Sequence, residues 1–166
     1  MELDAVYRLY VNDLYRYLFS LSKDHYIAED LVQEAFYRAY LVLEDYEIRN
    51  IKAWLFKVSY HAFIDYQRKN KRMMVEEEID KYLTSNHHSP ENSIIEKESL
   101  RLLLEDMKIL KDIEKQAVLL CDLHELSYQE AADILDLKLN TLKSHLSRGR
   151  KKLLNRIKER MKRDEE

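Results

Sequence analysis

The fold is decided most clearly by residues 126–154, which read LSYQEAADILDLKLNTLKSHLSRGRKKLL. Ser127 is followed three residues later by Glu130, the spacing of a capping box at a helix N terminus. Apolar residues then recur at helical spacing, so 128–135 is predicted to be a short helix. A three-residue turn separates it from a longer helical segment over 140–154. Two helices joined by so short a turn predict a helix-turn-helix.

The second of these helices is predicted to have an apolar side and a basic side. Lysine and arginine attract phosphates, while arginine, serine and threonine can contact base edges. Small residues at Ala131 and Ala132 would let the two helices cross closely. A basic helix behind a short scaffold helix suits a DNA major groove, so this segment is predicted to bind DNA. The expected inward residues are Leu142, Leu146 and Leu153, and the expected outward residues are Thr141, Lys143, Ser144, Ser147, Arg148, Arg150 and Lys151.

Charge is distributed unevenly along the chain, although the formal net charge is only −3. Residues 138–163 hold 11 basic side chains and one acidic side chain, a net of +10. Residues 73–110 hold 4 basic and 9 acidic side chains, whereas residues 1–72 hold 11 of each. Much of the acidic segment lacks a sustained apolar face, and Pro90 would interrupt a helix there. Residues 73–92 are therefore predicted to be a flexible acidic linker.

Composition favours an all-α fold. The 166 residues include one glycine, Gly149, and one proline, Pro90. Phosphate-cradling loops and dinucleotide-binding fingerprints need several glycines, so nucleotide-binding folds of these kinds are excluded. Tight hairpins also depend on glycine, which argues against a β-rich fold. We expect two small helical domains, over residues 1–72 and 93–166, with the first built from helices near 3–22, 28–43 and 51–71.

The third of those helices has an unusual aromatic content. Five aromatic side chains lie in the thirteen residues from Trp54 to Tyr66, and they point to several sides of the helix. Trp54 is expected in the core. Lys57, Tyr60 and His61 fit two interpretations equally well, as half-buried packing residues or as a surface for unpaired bases, which stack on aromatic rings while cations follow the backbone.

Other classes of site have little support in the sequence. Cys121 is the only cysteine, so an internal disulfide or a cysteine zinc cluster is excluded. The six histidines are scattered, and the adjacent pair His87 and His88 lies in the predicted linker. No apolar run approaches the roughly 18 residues that span a bilayer. With no signal-peptide pattern at the start, we expect a cytoplasmic, nucleoid-associated protein without membrane insertion, metal, cofactor or catalytic site.

Three motifs, in this order along the chain, resemble the extracytoplasmic-function (ECF) group of bacterial RNA polymerase sigma factors, group 4 of the sigma-70 family. The resemblance covers almost the whole chain except the predicted linker, and it implies a sigma region 2 bundle over 1–72 and a sigma region 4 helix-turn-helix over 93–166. The motifs are AEDLVQEAF at residues 28–36, Trp54-Leu55 with Asp65 and Arg68, and residues 126–132 together with 141–150.

The resemblance implies partners and contact residues. Core RNA polymerase would bind through its β′ clamp helices and β flap, the first at Asp30, Gln33 and Glu34. An anti-sigma factor, often membrane-anchored in the family, is a further expected partner. The expected contacts to the promoter −10 element are Asp45, Tyr46, Glu47, Ile48, Arg49, Asn50, Lys57, Tyr60 and His61. The expected contacts to the −35 element are Thr141, Lys143, Ser144, Ser147 and Arg148.

Four positions depart from the usual family pattern. His61 stands where asparagine is common, and Lys111 follows Leu110 where proline is common. Asp136 occupies the turn position of a glycine, so it is expected to adopt a left-handed backbone at some cost. Lys138 stands where serine often caps the second helix, and its charge opposes the helix dipole. These departures bear on promoter choice rather than on the family.

Three alternatives are weighed against this interpretation. A stand-alone helix-turn-helix regulator would bind DNA without polymerase. Such proteins often carry a domain of alternating strands and helices, whereas the first domain here is predicted to be helical. A helical adaptor that binds only protein would leave the basic end unexplained. An enzyme would need a nucleophile and base, and no such pair can be named in the sequence.

Overall fold

The computed structural model describes residues 2–74 and 94–165. These residues form helices and turns, and no strand occurs among them. They fall into two compact units, one before and one after the undescribed segment. The all-α prediction is confirmed. The predicted linker lies outside the described residues, apart from its first two positions, which belong to the third helix.

Three helices form the first unit: α1 (Leu3–Ser22), α2 (His25–Leu43) and α3 (Ile51–Met74). Each contacts the other two, so their apolar stripes enclose one core. The largest fully buried side chains there are Leu14, Tyr17, Leu18, Leu55 and Phe56.

A sharp reversal separates α1 from α2. Lys23 adopts a left-handed backbone with φ of 56°, and its N–H donates to the Phe19 carbonyl at 2.8 Å. The Asp24 carboxylate then accepts from the N–H groups of Tyr26 and Ile27, at 2.9 and 3.2 Å. This cap starts α2 at His25, three residues before the predicted beginning.

The buried side of α3 combines aromatic, aliphatic and small side chains. Phe56, Ser59 and Phe63 are buried together with Leu55 and Ala62. Val58 and Tyr66 are half-buried at the edges of this side. The expectation that Trp54 lies in the core is wrong, because its side chain is also only half-buried. Phe56 takes that role and packs on Tyr17 with ring centroids 5.2 Å apart.

Four helices make up the described part of the second unit. They are α4 (Ile94–Asp106), α5 (Asp112–Val118), α6 (Tyr128–Leu135) and α7 (Leu139–Glu165). A 3₁₀ turn over Met107–Ile109 follows α4, and a π-helical turn over Leu119–Leu123 extends α5. The last helix packs against α4, α5 and α6, and it runs well beyond its predicted end at residue 154.

The crossing of α5 and α7 is tight because of Gly149. A Cβ atom at this position would lie 3.0 Å from Val118 Cγ2 and 3.2 Å from the main-chain oxygen of Glu114. The glycine itself is buried within α7. The missing side chain therefore lets the two helix backbones approach each other closely.

Candidate nucleic-acid interface

The helix-turn-helix begins with the predicted capping box. Ser127 Oγ accepts from the Glu130 N–H at 3.0 Å, and the Glu130 carboxylate accepts from the Ser127 N–H at 2.8 Å. These reciprocal bonds satisfy donors that the first turn of α6 leaves open. The capping-box prediction is confirmed.

The turn after α6 relies on a non-glycine residue in the left-handed region. Asp136 has φ of 54° and ψ of 49°, as predicted. The Leu137 N–H donates to the Ala132 carbonyl at 2.9 Å, which is the long bond of a Schellman motif. Because the turn is fixed in this way, α7 begins at Leu139, one residue before the predicted start.

The first half of α7 separates core residues from candidate DNA contacts. Leu142 and Leu146 are buried, as expected, whereas Leu153 is only half-buried. The opposite side forms one exposed polar and basic surface, which we call the recognition face. All of its members are exposed, and they are Thr141, Lys143, Ser144, Ser147 and Arg148.

Arg150, which the sequence placed on the outward side, is exposed and is also held by an ion pair. Its guanidinium donates to both carboxylate oxygens of Asp122, at 2.9 and 2.6 Å. It also donates to the Tyr128 hydroxyl at 3.4 Å and lies over that ring, 5.9 Å from the centroid. The hydrogen bond to Asp122 is the main reason that the pKa of Arg150 is raised. Arg150 therefore ties α7 to the turn before α6.

A buried carboxylate, Glu114, lies beneath the recognition face. One oxygen, Oε1, accepts from the Lys111 N–H at 3.0 Å and from Lys152 Nζ at 2.8 Å. The other oxygen, Oε2, lies 3.8 Å from Arg148 Nε. The hydrogen bond from Lys152 lowers the pKa of Glu114 despite the opposing effect of its burial. The carboxylate is thus held ionised among cations.

Glu114 also explains how α5 begins without a proline. Proline has no N–H, whereas Lys111 has one that needs an acceptor at the helix N terminus. The Glu114 carboxylate supplies that acceptor from the third helical position. Glu114 is not among the site residues predicted from the sequence, although a glutamate three residues after a helix start is a recognisable signal.

In the first unit, the loop between α2 and α3 borders an open concavity. Five of the six predicted −10 contacts in this loop line it: Asp45, Tyr46, Glu47, Ile48 and Arg49. Tyr46 is 71% exposed, so its ring is available for stacking. The sixth, Asn50, accepts from the Ala53 N–H at 3.1 Å and caps α3.

The predicted −10 contacts on α3 lie at the surface next to the core. His61 is exposed, whereas Lys57 and Tyr60 are half-buried. The rings of Tyr60 and His61 meet edge to face, with centroids 5.7 Å apart. Partial burial raises the pKa of the Tyr60 hydroxyl. Like any tyrosine at physiological pH, this group is neutral and can both donate and accept a hydrogen bond.

The predicted polymerase contacts share one exposed surface of α2. Asp30, Gln33 and Glu34 are all exposed, while Leu31, Val32 and Ala35 are buried. Glu34 receives a 2.5 Å hydrogen bond from Arg38 one turn later. The helix thus packs through one side and presents its carboxylates on the other.

Metal and membrane sites find no support in the described ranges. Within residues 2–74 and 94–165, no group of three or more His, Cys, Asp or Glu side chains could hold a metal ion. None of the helices described is both long and apolar enough to cross a membrane.

Two family models match most of the chain. The model for sigma-70 region 2 matches residues 6–73, and the model for sigma-70 region 4 matches residues 100–153. The chain is 39% identical over 155 residues to the ECF RNA polymerase sigma factor SigM of Bacillus subtilis (strain 168), covering 92% of this chain and 93% of that protein. It is 30% identical over 153 residues to the ECF RNA polymerase sigma factor SigE of Mycolicibacterium smegmatis, covering 90% of this chain and 59% of that longer protein.

A solved structure has a similar fold. It is that of the sigma factor RpoE from Bartonella quintana, crystallised in complex with the anti-sigma factor NepR. The TM-score is 0.75 at 27% sequence identity, and the match covers 93% of this chain and 96% of that one.

Proposed function

The chain belongs to the ECF group of the sigma-70 family, and we propose that its two units divide promoter recognition between them. As a sigma factor, it acts in transcription initiation. The second unit, over residues 93–166, would contact the −35 element. The first unit, over residues 1–72, would bind core RNA polymerase and the −10 element, with residues 73–92 as the connecting linker. Catalysis would belong to the polymerase.

The observation that carries the −35 assignment is the recognition face of α7. Its five exposed side chains lie opposite Leu142 and Leu146, which fix the helix in the unit. The preceding turn is short, as in helix-turn-helix domains that place their second helix in a major groove. Lys143 and Arg148 supply cations, and the hydroxyl side chains supply additional hydrogen-bonding groups.

The −10 assignment is supported by the concavity of the first unit. An unpaired base could enter it beside the exposed Tyr46 ring, and Lys57 and Arg49 would attract the phosphates. Tyr60 and His61 would add a second aromatic surface nearby on α3. The presence of His61 in place of the asparagine common in the family is expected to alter −10 selectivity.

Core polymerase is the proposed partner of the exposed side of α2, through its β′ clamp helices, and of the second unit, through its β flap. Asp30 and Glu34 would pair with basic groups of the clamp helices, and Gln33 would add a hydrogen bond. An anti-sigma factor is a further proposed partner, because the RpoE protein was crystallised with one. We propose a cytoplasmic, nucleoid-associated location.

In vitro transcription tests the proposal. The purified chain is added to core polymerase on a library of promoter fragments, and the start sites are mapped. We expect start sites that share −35 and −10 sequences and that disappear without the chain. Specific binding of the chain to particular fragments of the library without core polymerase, together with no effect on transcription, would favour a stand-alone regulator instead.

A further inference from the structure

We propose that Glu114 is a positioning residue for promoter recognition, because it orients the Arg148 side chain on the recognition face. The inference rests on the proposed function, in which Arg148 contacts the −35 element. Glu114 itself lies behind that face on α5 and would not touch DNA.

The geometry separates two tasks of the Glu114 carboxylate. Oε1 is occupied by the Lys111 N–H at 3.0 Å and Lys152 Nζ at 2.8 Å, which are structural contacts. Oε2 is buried, and it makes no hydrogen bond with the residues that the structure describes. Arg148 Nε lies 3.8 Å from this oxygen. A buried carboxylate oxygen needs compensation by charge, and the guanidinium provides it.

Arg148 is held on two sides while remaining accessible. Its side chain is 56% exposed, whereas that of Glu114 is 1% exposed. Its Nη2 atom lies 3.1 Å from His145 Nδ1, in hydrogen-bond contact. Attraction of Nε towards the buried carboxylate turns the inner edge of the guanidinium to the protein. One N–H of Nη2 is used by His145, so the second N–H of Nη2 and both N–H groups of Nη1 are left for a base.

This arrangement reduces the freedom that Arg148 would lose on binding DNA. Arginine has many rotamers in water, and fixing them opposes binding. Arginine contacts guanine through two N–H groups at once, so the direction of its planar fork matters as much as its charge. Glu114 therefore contributes to discrimination between sequences rather than to general attraction for DNA, which its negative charge opposes.

The test substitutions are Glu114→Gln and a matched control. Glutamine retains an oxygen that can accept from Lys111 and Lys152, but it has no charge to hold Arg148. Glu130→Gln is the control, because Glu130 forms the same kind of N-terminal cap on α6, at 2.8 Å from the Ser127 N–H. The readout is holoenzyme affinity for a promoter with its preferred −35 element, divided by affinity for the same fragment with that element scrambled. Each ratio comes from one protein preparation, so a partly unfolded fraction cancels.

We expect Glu114→Gln to reduce this ratio roughly fivefold to tenfold, at the lower end of the effect of losing an arginine–base contact. Glu130→Gln should leave the ratio unchanged. In an Arg148→Ala background, Glu114→Gln should cause no further loss, because the side chain that it orients is gone.

Three other results would overturn separate claims. If Arg148→Ala lowers the ratio and Glu114→Gln does not, Glu114 has only a structural role and the positioning inference is wrong. If Arg148→Ala itself leaves the ratio unchanged, the proposed base contact of Arg148 is wrong, and the inference built on it fails too. An equal fall with Glu130→Gln would mean that any disturbed helix cap produces the effect, which also contradicts the inference.

Discussion

Left-handed backbone conformations at non-glycine residues are a feature of this chain at the scale of single residues. Lys23, Glu125 and Asp136 have φ angles of 56°, 58° and 54°. Glu125 lies two residues after the π-helical turn, and the next N–H, that of Leu126, donates back to the Leu120 carbonyl at 2.9 Å. Aspartate tolerates this region better than glutamate, since its short side chain bonds locally. The backbone at Glu125 is therefore more strained than the backbone at Asp136, the other left-handed residue of the second unit.

Replacing Glu125 with glycine is expected to stabilise the second unit. Relief of the left-handed strain should stabilise the folded state by about 1–2 kcal/mol. The greater conformational freedom of glycine in the unfolded chain should offset roughly 0.5–1 kcal/mol of this stabilisation. The free energy of unfolding should rise by about 0.5–1 kcal/mol, measured by urea denaturation with hydrogen exchange of the α5 and α6 amides. Asp136→Gly is the matched comparison and should give a smaller gain. A loss of stability with Glu125→Gly would show that its side chain contributes more than its backbone costs.

At the scale of helices, the crossing of α5 and α7 depends on one missing side chain. Gly149 faces Val118 and the main chain of Glu114, neither of which can move aside as a flexible side-chain end could. The residues on either side of it, Arg148 and Arg150, have separate partners in Glu114 and Asp122. The depth of the crossing therefore sets the geometry of both arginines.

Gly149→Ala is expected to destabilise the second unit, although alanine is the better helix former. Overpacking should destabilise the folded state by about 1–3 kcal/mol. The higher helix propensity of alanine should offset roughly 1 kcal/mol of this loss. We expect a net loss of about 1 kcal/mol in the free energy of unfolding, with faster hydrogen exchange in α5 and α7. Asn155→Ala, at an exposed position of α7, should instead stabilise by about 0.5 kcal/mol. Equal and favourable effects of both changes would mean that the helices have room to separate.

The exposed side of α2 gives a prediction for the first unit. Reversing the charges with Asp30→Lys and Glu34→Lys should weaken binding to core polymerase at least tenfold, because like charges would meet across the proposed contact. Pull-down with purified core polymerase measures this. Glu29→Lys, a neighbouring exposed carboxylate of α2 outside the three proposed contacts, is the control and should have a smaller effect. Unchanged affinity of the double variant would contradict the proposed docking surface.

Helical periodicity predicted the elements well because their signals are local. The capping box at Ser127 and the left-handed bend at Asp136 each depend on a few consecutive residues, and both are confirmed. The core of α3 was predicted less well, since which of its aromatic residues are buried depends on α1, where Tyr17 packs on Phe56. The partners of Arg150 and Glu114 lie 28 and 38 residues away in the chain, at Asp122 and Lys152. Such contacts follow from the packing of helices, which periodicity does not specify.

At the scale of the whole molecule, net charge is a poor guide to DNA attraction. The chain carries −3 overall, yet residues 138–163 carry 11 basic side chains and one acidic side chain. Not all of these cations are equally available, because some form ion pairs within the unit. Arg150 is paired with Asp122 and Lys152 with Glu114, whereas Lys143 and Lys151 are exposed.

Salt dependence should distinguish neighbouring cations. Each phosphate contact adds about 0.9 to the slope of log affinity against log salt concentration. Lys151→Gln is expected to reduce the slope for holoenzyme binding to promoter DNA by about that amount if this lysine contacts a phosphate. Arg150→Gln, one residue earlier, should change it little, because the guanidinium is already bonded to Asp122. The reverse pattern would mean that Arg150 leaves its carboxylate partner when DNA binds.

The exposure of the recognition face makes it a candidate for transplantation. Thr141, Lys143, Ser144 and Ser147 could be exchanged for those of another promoter specificity while Leu142, Leu146 and Gly149 keep the scaffold intact. Arg148 is the exception, since its direction comes from α5. Transferring the promoter preference of this chain to another scaffold would require Glu114 as well as the recognition face. The smallest segment set that could be transferred therefore includes parts of both α5 and α7.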